Sequence, residues 1–210
     1  PREPILVSGG KDGKVRLWDL DGLQPIRTLV EHQKSITQVE FTPNGEHLIS
    51  SSADGTLIVW DWKNGKVLQT LTQHTKSVNG FGISPLGREV LSGGKDGAIH
   101  RWVLGKEESA GALDSVSGPV EKVRFANNGK QILAALSDGT LLTWGLGTSS
   151  FLATLKGHER PVNSLDFTSN GRYLATASAD KTIKLWDMEK HEVVRTYETE
   201  SHRVQVLRFA

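Results

Sequence analysis

The chain has 210 residues, of which 37% are hydrophobic and 22 are glycine, and its formal charge of +1 is close to neutral. It contains no cysteine, which excludes disulfides, thiolate metal sites and cysteine nucleophiles. The balanced charge does not favour nucleic acid or an anionic membrane as partner, and no apolar run reaches the ~18 residues of a membrane helix. We therefore expect no membrane association, and we take the cytoplasm as the expected compartment.

A tryptophan recurs every 42 residues along the chain, and an aspartate precedes each one by six residues. The five pairs are Asp12 and Trp18, Asp54 and Trp60, Asp96 and Trp102, Asp138 and Trp144, and Asp180 and Trp186. A tryptophan repeat of about 40 to 45 residues is typical of a four-stranded sheet that stacks on neighbouring copies to bury its faces. Because the repeat is unbroken, we predict a single domain over residues 1–210.

The second copy shows the predicted elements in chain order. Alternating apolar and polar residues predict strand a over 36–41, and a turn follows at 43–45. Strand b is predicted over 47–51, a hairpin turn at 53–55, and strand c over 56–60. Strand d is predicted over 67–71. The other copies align with this one without gaps, so we predict an all-β fold of short antiparallel strands.

Both ends of the chain fall within the same a–b connection. Phe209-Ala210 followed by Pro1-Arg2-Glu3 would continue the pattern of residues 41–45, so the last strand a completes the first strands b, c and d. We predict a β-propeller of five four-stranded blades closed by this pairing, because an open row would leave exposed sheet edges. A ring that closes on itself would be a monomer, whereas exchange of the terminal strands between chains would give an oligomer.

Gly157-His158, followed by residues 178–187 (SADKTIKLWD), resembles the signature of the WD-repeat family, and the resemblance covers the whole chain. It implies that a histidine, a strand b hydroxyl, the turn aspartate and the tryptophan indole form a hydrogen-bonded set within each blade. The complete sets are His32, Ser50, Asp54 and Trp60; His74, Ser92, Asp96 and Trp102; and His158, Thr176, Asp180 and Trp186.

Two copies depart from this pattern. Val116 and Ala134 replace the histidine and the hydroxyl in the set that ends at Trp144. Glu200 stands where the histidine is expected in the set that contains Ser8, Asp12 and Trp18. We expect these two blades to be less stable, because each lost hydrogen bond removes about 1 kcal/mol.

The recurring histidines, serines and aspartates could be proposed as metal ligands or as nucleophilic triads. The repeat argues against both, since groups that recur once per blade lie a blade apart, while metal ligands lie within about 2 Å of one ion. We therefore predict no catalytic residue, no metal site and no cofactor.

Basic residues recur on the d–a and b–c loops, which by family resemblance form the face that receives peptides and partner domains. The candidate rim residues are Lys11, Lys34, Lys76, Lys95, Arg160 and His202, and the candidate inner contacts are Thr37, Asn79, Glu121, Asn163 and Gln205. The resemblance implies a non-enzymatic protein-interaction scaffold, and the basic rim favours acidic partners. The alternative is a merely solvated rim, because Glu31, Glu159 and Glu200 lie nearby in the sequence.

Two other functions stay open at this point. The family usually closes with more than five blades, so the chain could be an excised or redesigned part of a larger ring without a natural ligand. It could also be a small-molecule binder or an enzyme at the channel mouth, since unrelated propellers host catalysis. Nucleic acid is disfavoured as a partner, because no aromatic residues alternate with the basic ones.

Overall fold

A computed structural model describes residues 4–106, 109–146, 150–199, 204 and 206–209. In these ranges all regular structure is β-strand, and no helix is present that could cross a membrane. The strands are β1 Ile5–Gly9, β2 Lys14–Asp19, β3 Gln24–Val30, β4 Ile36–Phe41, β5 Leu48–Ser52, β6 Leu57–Asp61, β7 Lys66–Leu71, β8 Val78–Ile83, β9 Glu89–Gly94, β10 Ala98–Val103, β11 Ser109–Ser115, β12 Val120–Phe125, β13 Gln131–Leu136, β14 Leu141–Gly145, β15 Phe151–Leu155, β16 Val162–Phe167, β17 Tyr173–Ser178, β18 Thr182–Asp187 and β19 Glu192–Glu198.

The strands form five antiparallel sheets, in each of which sequence neighbours are also spatial neighbours. Sheet 1 holds β1–β3, and sheets 2 to 5 hold β4–β7, β8–β11, β12–β15 and β16–β19. The prediction of an all-β fold is confirmed. In the second copy the predicted strands agree with β4 to β7 to within one residue at each end.

The turn between the second and third strand positions of each copy needs a left-handed backbone. Four copies place glycine there, with positive φ at Gly13, Gly55, Gly97 and Gly139. In the last copy Lys181 takes the same place with a φ of 70°. A lysine in this region carries a steric penalty that glycine avoids.

Four buried apolar clusters lie between neighbouring sheets. In each cluster the tryptophan of one sheet packs on the strands of the sheet before it, as Trp60 does on Val15 and Leu17. The other three cluster tryptophans are Trp102, Trp144 and Trp186. All four are 1–2% exposed, whereas Trp18 in sheet 1 is only half-buried. Each sheet therefore obtains its core from a neighbour, which makes the arrangement propeller-like.

The described residues show five sheets in a row but no closed ring. Among them β1 pairs only with β2, and sheet 1 has three strands. Residues 206–209 lie beside β16, where Phe209 N donates a hydrogen bond to Asp166 Oδ2 at 2.8 Å. Phe81 N donates to Gln38 Oε1 at 3.1 Å in the same way between the inner strands β8 and β4. Residues 206–209, which we call the final segment, thus lie next to β16 in the position that an inner strand of a following sheet would take.

Candidate functional site

The residues of the first predicted set form a chain of hydrogen bonds in sheet 2. Trp60 Nε1 donates to Ser50 Oγ at 2.8 Å, and Ser50 Oγ lies 2.8 Å from His32 Nε2. His32 Nδ1 lies 3.0 Å from Asp54 Oδ2. A neutral histidine with its proton on Nδ1 fits every bond, because it donates to the carboxylate and accepts the hydroxyl proton. The set ties β5 and the turn after it to the loop before β4.

The same bonds recur in sheets 3 and 5. Their lengths are 2.7–3.0 Å in the sets His74, Ser92, Asp96 and Trp102, and His158, Thr176, Asp180 and Trp186. Sequence reasoning missed one member in two sheets. Thr56 Oγ1 donates to Asp54 Oδ1 and Thr182 Oγ1 to Asp180 Oδ1, both at 2.7 Å. A threonine two residues after the turn aspartate is the sequence signal that would have found them.

In the sets of sheets 2 and 5 the negative charge stays on the aspartate and the histidine is neutral. Burial lowers the pKa of His32 and of His158 despite the neighbouring carboxylates. Burial alone would raise the pKa of Asp180, but hydrogen bonds from Thr182 and His158 outweigh it and lower that pKa to about 2. At neutral pH the histidines are therefore uncharged and the aspartate is ionised, as the hydrogen-bond directions require.

Ser50, His32 and Asp54 stand in the order of a nucleophile, a base and an acid. Ser50 is fully buried, however, and its oxygen already accepts the indole proton of Trp60. A nucleophile needs access to a substrate carbonyl, which this packing denies. In the part of the chain that the structure describes, no three histidines or acidic residues are placed to hold a metal ion.

In the two divergent copies the turn aspartate has other hydrogen-bond donors than a histidine. In sheet 1, Arg16 Nη2 donates to Asp12 Oδ2 at 2.5 Å, and this bond is the main cause of the lowering of the pKa of Asp12 to about 2. Glu200 lies outside the described residues. In sheet 4, Asp138 Oδ1 accepts from the backbone nitrogen of Thr140 in its own turn at 2.8 Å, and no other described residue donates to it.

The predicted inner contacts converge on one cavity. Because successive strands run in opposite directions, the d–a and b–c connections lie at the same end of every sheet. A cavity of about 500 Å³ opens at this end and is lined by Thr37, Asn79, Glu121 and Asn163, from four different inner strands. We call it the mouth cavity. Gln205, the fifth predicted contact, lies outside the described residues.

Three mouth residues also join neighbouring inner strands. Thr37 and Asn79 donate from their side chains to a backbone carbonyl of the next inner strand, and Asn163 donates to the carbonyl of Val204 near the end of the chain. The pairs are Thr37 Oγ1 to Val78 O at 2.7 Å, Asn79 Nδ2 to Val120 O at 3.0 Å, and Asn163 Nδ2 to Val204 O at 3.1 Å. These residues therefore hold the inner strands together as well as lining the cavity.

The predicted rim cations surround the mouth cavity without lining it. Lys11, Lys34, Lys76, Lys95 and Arg160 are all exposed. None of these five forms an ion pair with another described residue. His202, the sixth predicted rim residue, lies outside the described part. The five lie on loops at the mouth end, so their charges are available to a partner.

Two larger cavities lie at the opposite end of the sheets. They measure about 610 and 800 Å³ and share Leu86 and Arg88 on the turn between β8 and β9. Sequence reasoning did not single them out. The sequence feature that could have indicated these cavities is Leu86, an apolar residue that is 78% exposed. The equivalent turns of three other copies carry asparagine at this position, namely Asn44, Asn128 and Asn170.

Stacked antiparallel sheets, three of which carry the buried histidine, hydroxyl, aspartate and tryptophan bonds, define a propeller-like fold. The profile of the family described as WD domain, G-beta repeat (WD40) matches residues 1–19, 23–61, 65–102 and 149–187, together more than half of the chain. The chain belongs to the WD40-repeat family. The ranges leave out the copy with Val116 and Ala134, which lacks the histidine and the hydroxyl. Domains of this family are generally protein-interaction scaffolds and typically non-catalytic.

Proposed function

We propose that residues 1–210 form one non-catalytic WD-repeat domain that binds peptides or partner domains on the loop face around the channel. The observation that carries the proposal is the mouth cavity, to which four successive copies contribute the residue at the same repeat position: Thr37, Asn79, Glu121 and Asn163. A cavity of about 500 Å³ falls within the size of sites that hold a small ligand or a few side chains.

The charges around the cavity favour an acidic partner. The five exposed rim cations have no ion pair among the described residues. An acidic segment that binds them would therefore displace water and would not have to break an existing ion pair. The cavity wall is different, because Thr37 and Asn79 already donate to neighbouring carbonyls, while Glu121 contributes an acceptor and Lys122 a positive charge. The best fit is a segment with carboxylates over the rim and an uncharged polar group over the cavity.

A charge-reversal pull-down tests this proposal. The test variant changes Lys34, Lys76 and Arg160 to glutamate. The matched control changes Lys63, Lys106 and Lys130 to glutamate, since these cations are equally exposed but lie at the opposite end of the sheets. Partners retained by the parent and the control but lost from the rim variant would support the proposal. Identical partners for all three proteins would remove the rim as a binding site.

We also propose that five blades close into a ring through residues 206–209. The faces that would meet are incompletely covered, since Trp18, Ile183 and Leu185 are only half-buried and Leu6 is 51% exposed. Where neighbouring sheets pack on one another, the equivalent positions are buried except for Arg101, which is half-buried. Packing of sheet 1 on sheet 5 in the same way would therefore give a fifth buried contact between neighbouring sheets.

The register of sheet 4 supplies a test of closure. Phe125 lies opposite Ile132 there, and the equivalent closing pair is Phe209 opposite Leu6. Because the chain has no cysteine, Leu6→Cys with Phe209→Cys introduces the only two thiols. A disulfide within one monomer supports closure, whereas a disulfide-linked dimer whose mass depends on concentration supports strand exchange. If neither forms, both arrangements are excluded.

A further inference from the structure

A second, smaller cavity lies between the inner strands β12 and β16 and the final segment, and basic side chains line it. It measures about 230 Å³ and is bounded by Lys122 and Arg124 of β12, Ser164 of β16 and Arg208 of the final segment. We call it the channel cavity. Its volume is several times the roughly 30 Å³ that one water occupies in the liquid, and it lies below the roughly 300 Å³ of a drug-sized site. It therefore suits a small ion with a few waters.

Lys122 has no counter-charge of its own. No hydrogen bond or ion pair joins its ammonium group to a described residue. Burial lowers the pKa of Lys122, and the nearby positive charge of Arg124 lowers it further, while Glu121 acts in the opposite direction. Lys122 is half-buried. A partly desolvated cation without a counter-charge is unfavourable, so an anion beside it would be stabilised.

The acids around the channel are otherwise engaged. Glu40 Oε2 accepts from Arg124 Nη1 at 3.3 Å and from Gln38 Nε2 at 3.1 Å. Asp166 Oδ2 accepts from the backbone of Phe209 at 2.8 Å. Glu121 lines the mouth cavity rather than the channel cavity. Among the described residues, the wall of the channel cavity thus has three cationic side chains and no carboxylate.

We propose that the channel cavity binds a tetrahedral oxyanion of the phosphate class. Lys122, Arg124 and Arg208 supply positive charge and N–H donors. Ser164 Oγ accepts from Leu207 N at 3.1 Å, which leaves its hydroxyl proton to donate to the anion. Several charge-assisted bonds from different directions match an ion with four oxygens better than a planar carboxylate. Lys122 lines both cavities, so the anion enters through the mouth cavity.

Calorimetric titration of the whole chain with inorganic phosphate tests the site, at an ionic strength held constant with chloride. Lys122→Gln installs the residue that the second copy carries at the equivalent position, Gln38, and Arg208→Gln removes a second cation. Lys130→Gln is the control, because it removes one exposed charge from a turn outside the cavity. We expect one saturable site, at least about tenfold weaker in Lys122→Gln and Arg208→Gln and unchanged within about twofold in the control. The absence of saturable binding, or an equal loss in the control, would overturn the proposal.

Two further ligands identify the chemistry and its source. Acetate that binds as tightly as phosphate would overturn the assignment of a tetrahedral anion. A phosphoserine peptide that competes with phosphate and shows the same loss in Lys122→Gln would indicate that the phosphoryl group belongs to a protein partner. Binding of inorganic phosphate alone would indicate a free ion, and either source supports the site.

A measurement on the unsubstituted protein tests the proposal even if the variants fold poorly. Phosphate should raise the pKa of the Lys122 ammonium group, which NMR of the lysine side chains reports directly, and no change on saturation would contradict the proposal. The rim variant with Lys34, Lys76 and Arg160 changed to glutamate should retain phosphate binding within about threefold, since its residues do not line the cavity. The peptide-binding rim and the anion site can therefore fail independently.

Discussion

Arg124 Nη1 lies 3.3 Å from Glu40 Oε2, although the inner strand β8 runs between their two strands. β8 carries Gly80 and Gly82 where the other inner strands of sheets 2, 4 and 5 carry side chains. The arginine passes over this bare strand and also donates to Phe81 O at 3.3 Å. Two glycines thus allow an ion pair between sheets that are not neighbours.

Alanine at these glycines should have unequal effects. A Cβ on Gly82 would lie 3.1 Å from the Arg124 Cα and from the Val123 carbonyl oxygen, which belong to the backbone. A Cβ on Gly80 would lie 3.2 Å from Gln38 Oε1, the end of a flexible side chain. We expect Gly82→Ala to lower the free energy of unfolding by about 1–3 kcal/mol, and Gly80→Ala to change it by less than about 1 kcal/mol. Urea unfolding followed by tryptophan fluorescence measures both, and a larger loss for Gly80→Ala would contradict the close approach of β8 to the backbone of β12.

The hydroxyl of Ser50 should contribute more than that of Ser8. Ser50→Ala leaves the buried Trp60 indole and His32 Nε2 without a partner, which should lower the free energy of unfolding by about 1–3 kcal/mol. Ser8→Ala removes only the 3.0 Å bond from Trp18, which is half-buried and can turn to water, so we expect a loss below about 1 kcal/mol. Denaturant midpoints of the two variants check the order. Equal losses would mean that the histidine bond adds nothing.

The local parts of this fold were predictable from sequence, and the contacts between the inner strands were not. The strands of the second copy and the partners of Trp60 follow from a pattern that every copy repeats. The contact of Arg124 with Glu40 depends on side chains missing from a strand between them, so no single copy contains it. The partial burial of Lys122 depends on how closely the inner strands approach one another, which the 42-residue period leaves open. Long-range packing in this chain is therefore set by differences between copies.

Acidification should destabilise the protein in two stages. The pKa of His32 and of His158 is lowered in the folded state, so below about pH 6.5 the unfolded chain binds protons that the folded chain does not. Stability therefore falls as the pH drops through that region. The pKa of Asp180 is about 2 when folded, so a second loss begins near pH 4 and continues towards pH 2.

Thermal unfolding by circular dichroism from pH 8 to pH 3 measures these stages. These groups should cause almost no change in Tm above pH 7, and Tm should decrease as the pH falls below 6.5. The variant His32→Gln, which is less stable at pH 7, should show a shallower fall between pH 7 and pH 5 because one titrating group is gone. A Tm that rises on acidification to pH 5 would contradict the assignment of neutral histidines.

Lys181 is a site where one substitution should stabilise the fold. Its φ of 70° is the conformation that four other copies give to glycine. We expect Lys181→Gly to raise the free energy of unfolding by about 0.5–1 kcal/mol, because relief of strain exceeds the added entropy of the unfolded chain. Lys181→Ala keeps the Cβ and serves as the control, with no gain expected. Chemical denaturation of the parent and the two variants measures their free energies of unfolding. An equal gain in Lys181→Ala would mean that loss of the lysine charge, and not relief of backbone strain, stabilises the fold.

The four shared cores divide the sheets into two kinds. Sheets 2, 3 and 4 have a neighbour packed on each face, while the described parts of sheets 1 and 5 each have one such neighbour. Amide protons in the middle sheets are therefore the most protected from exchange with solvent, and the two flanking sheets open first. The regions that fluctuate most are then the two faces that ring closure would have to join, so closure would slow exchange in both at once.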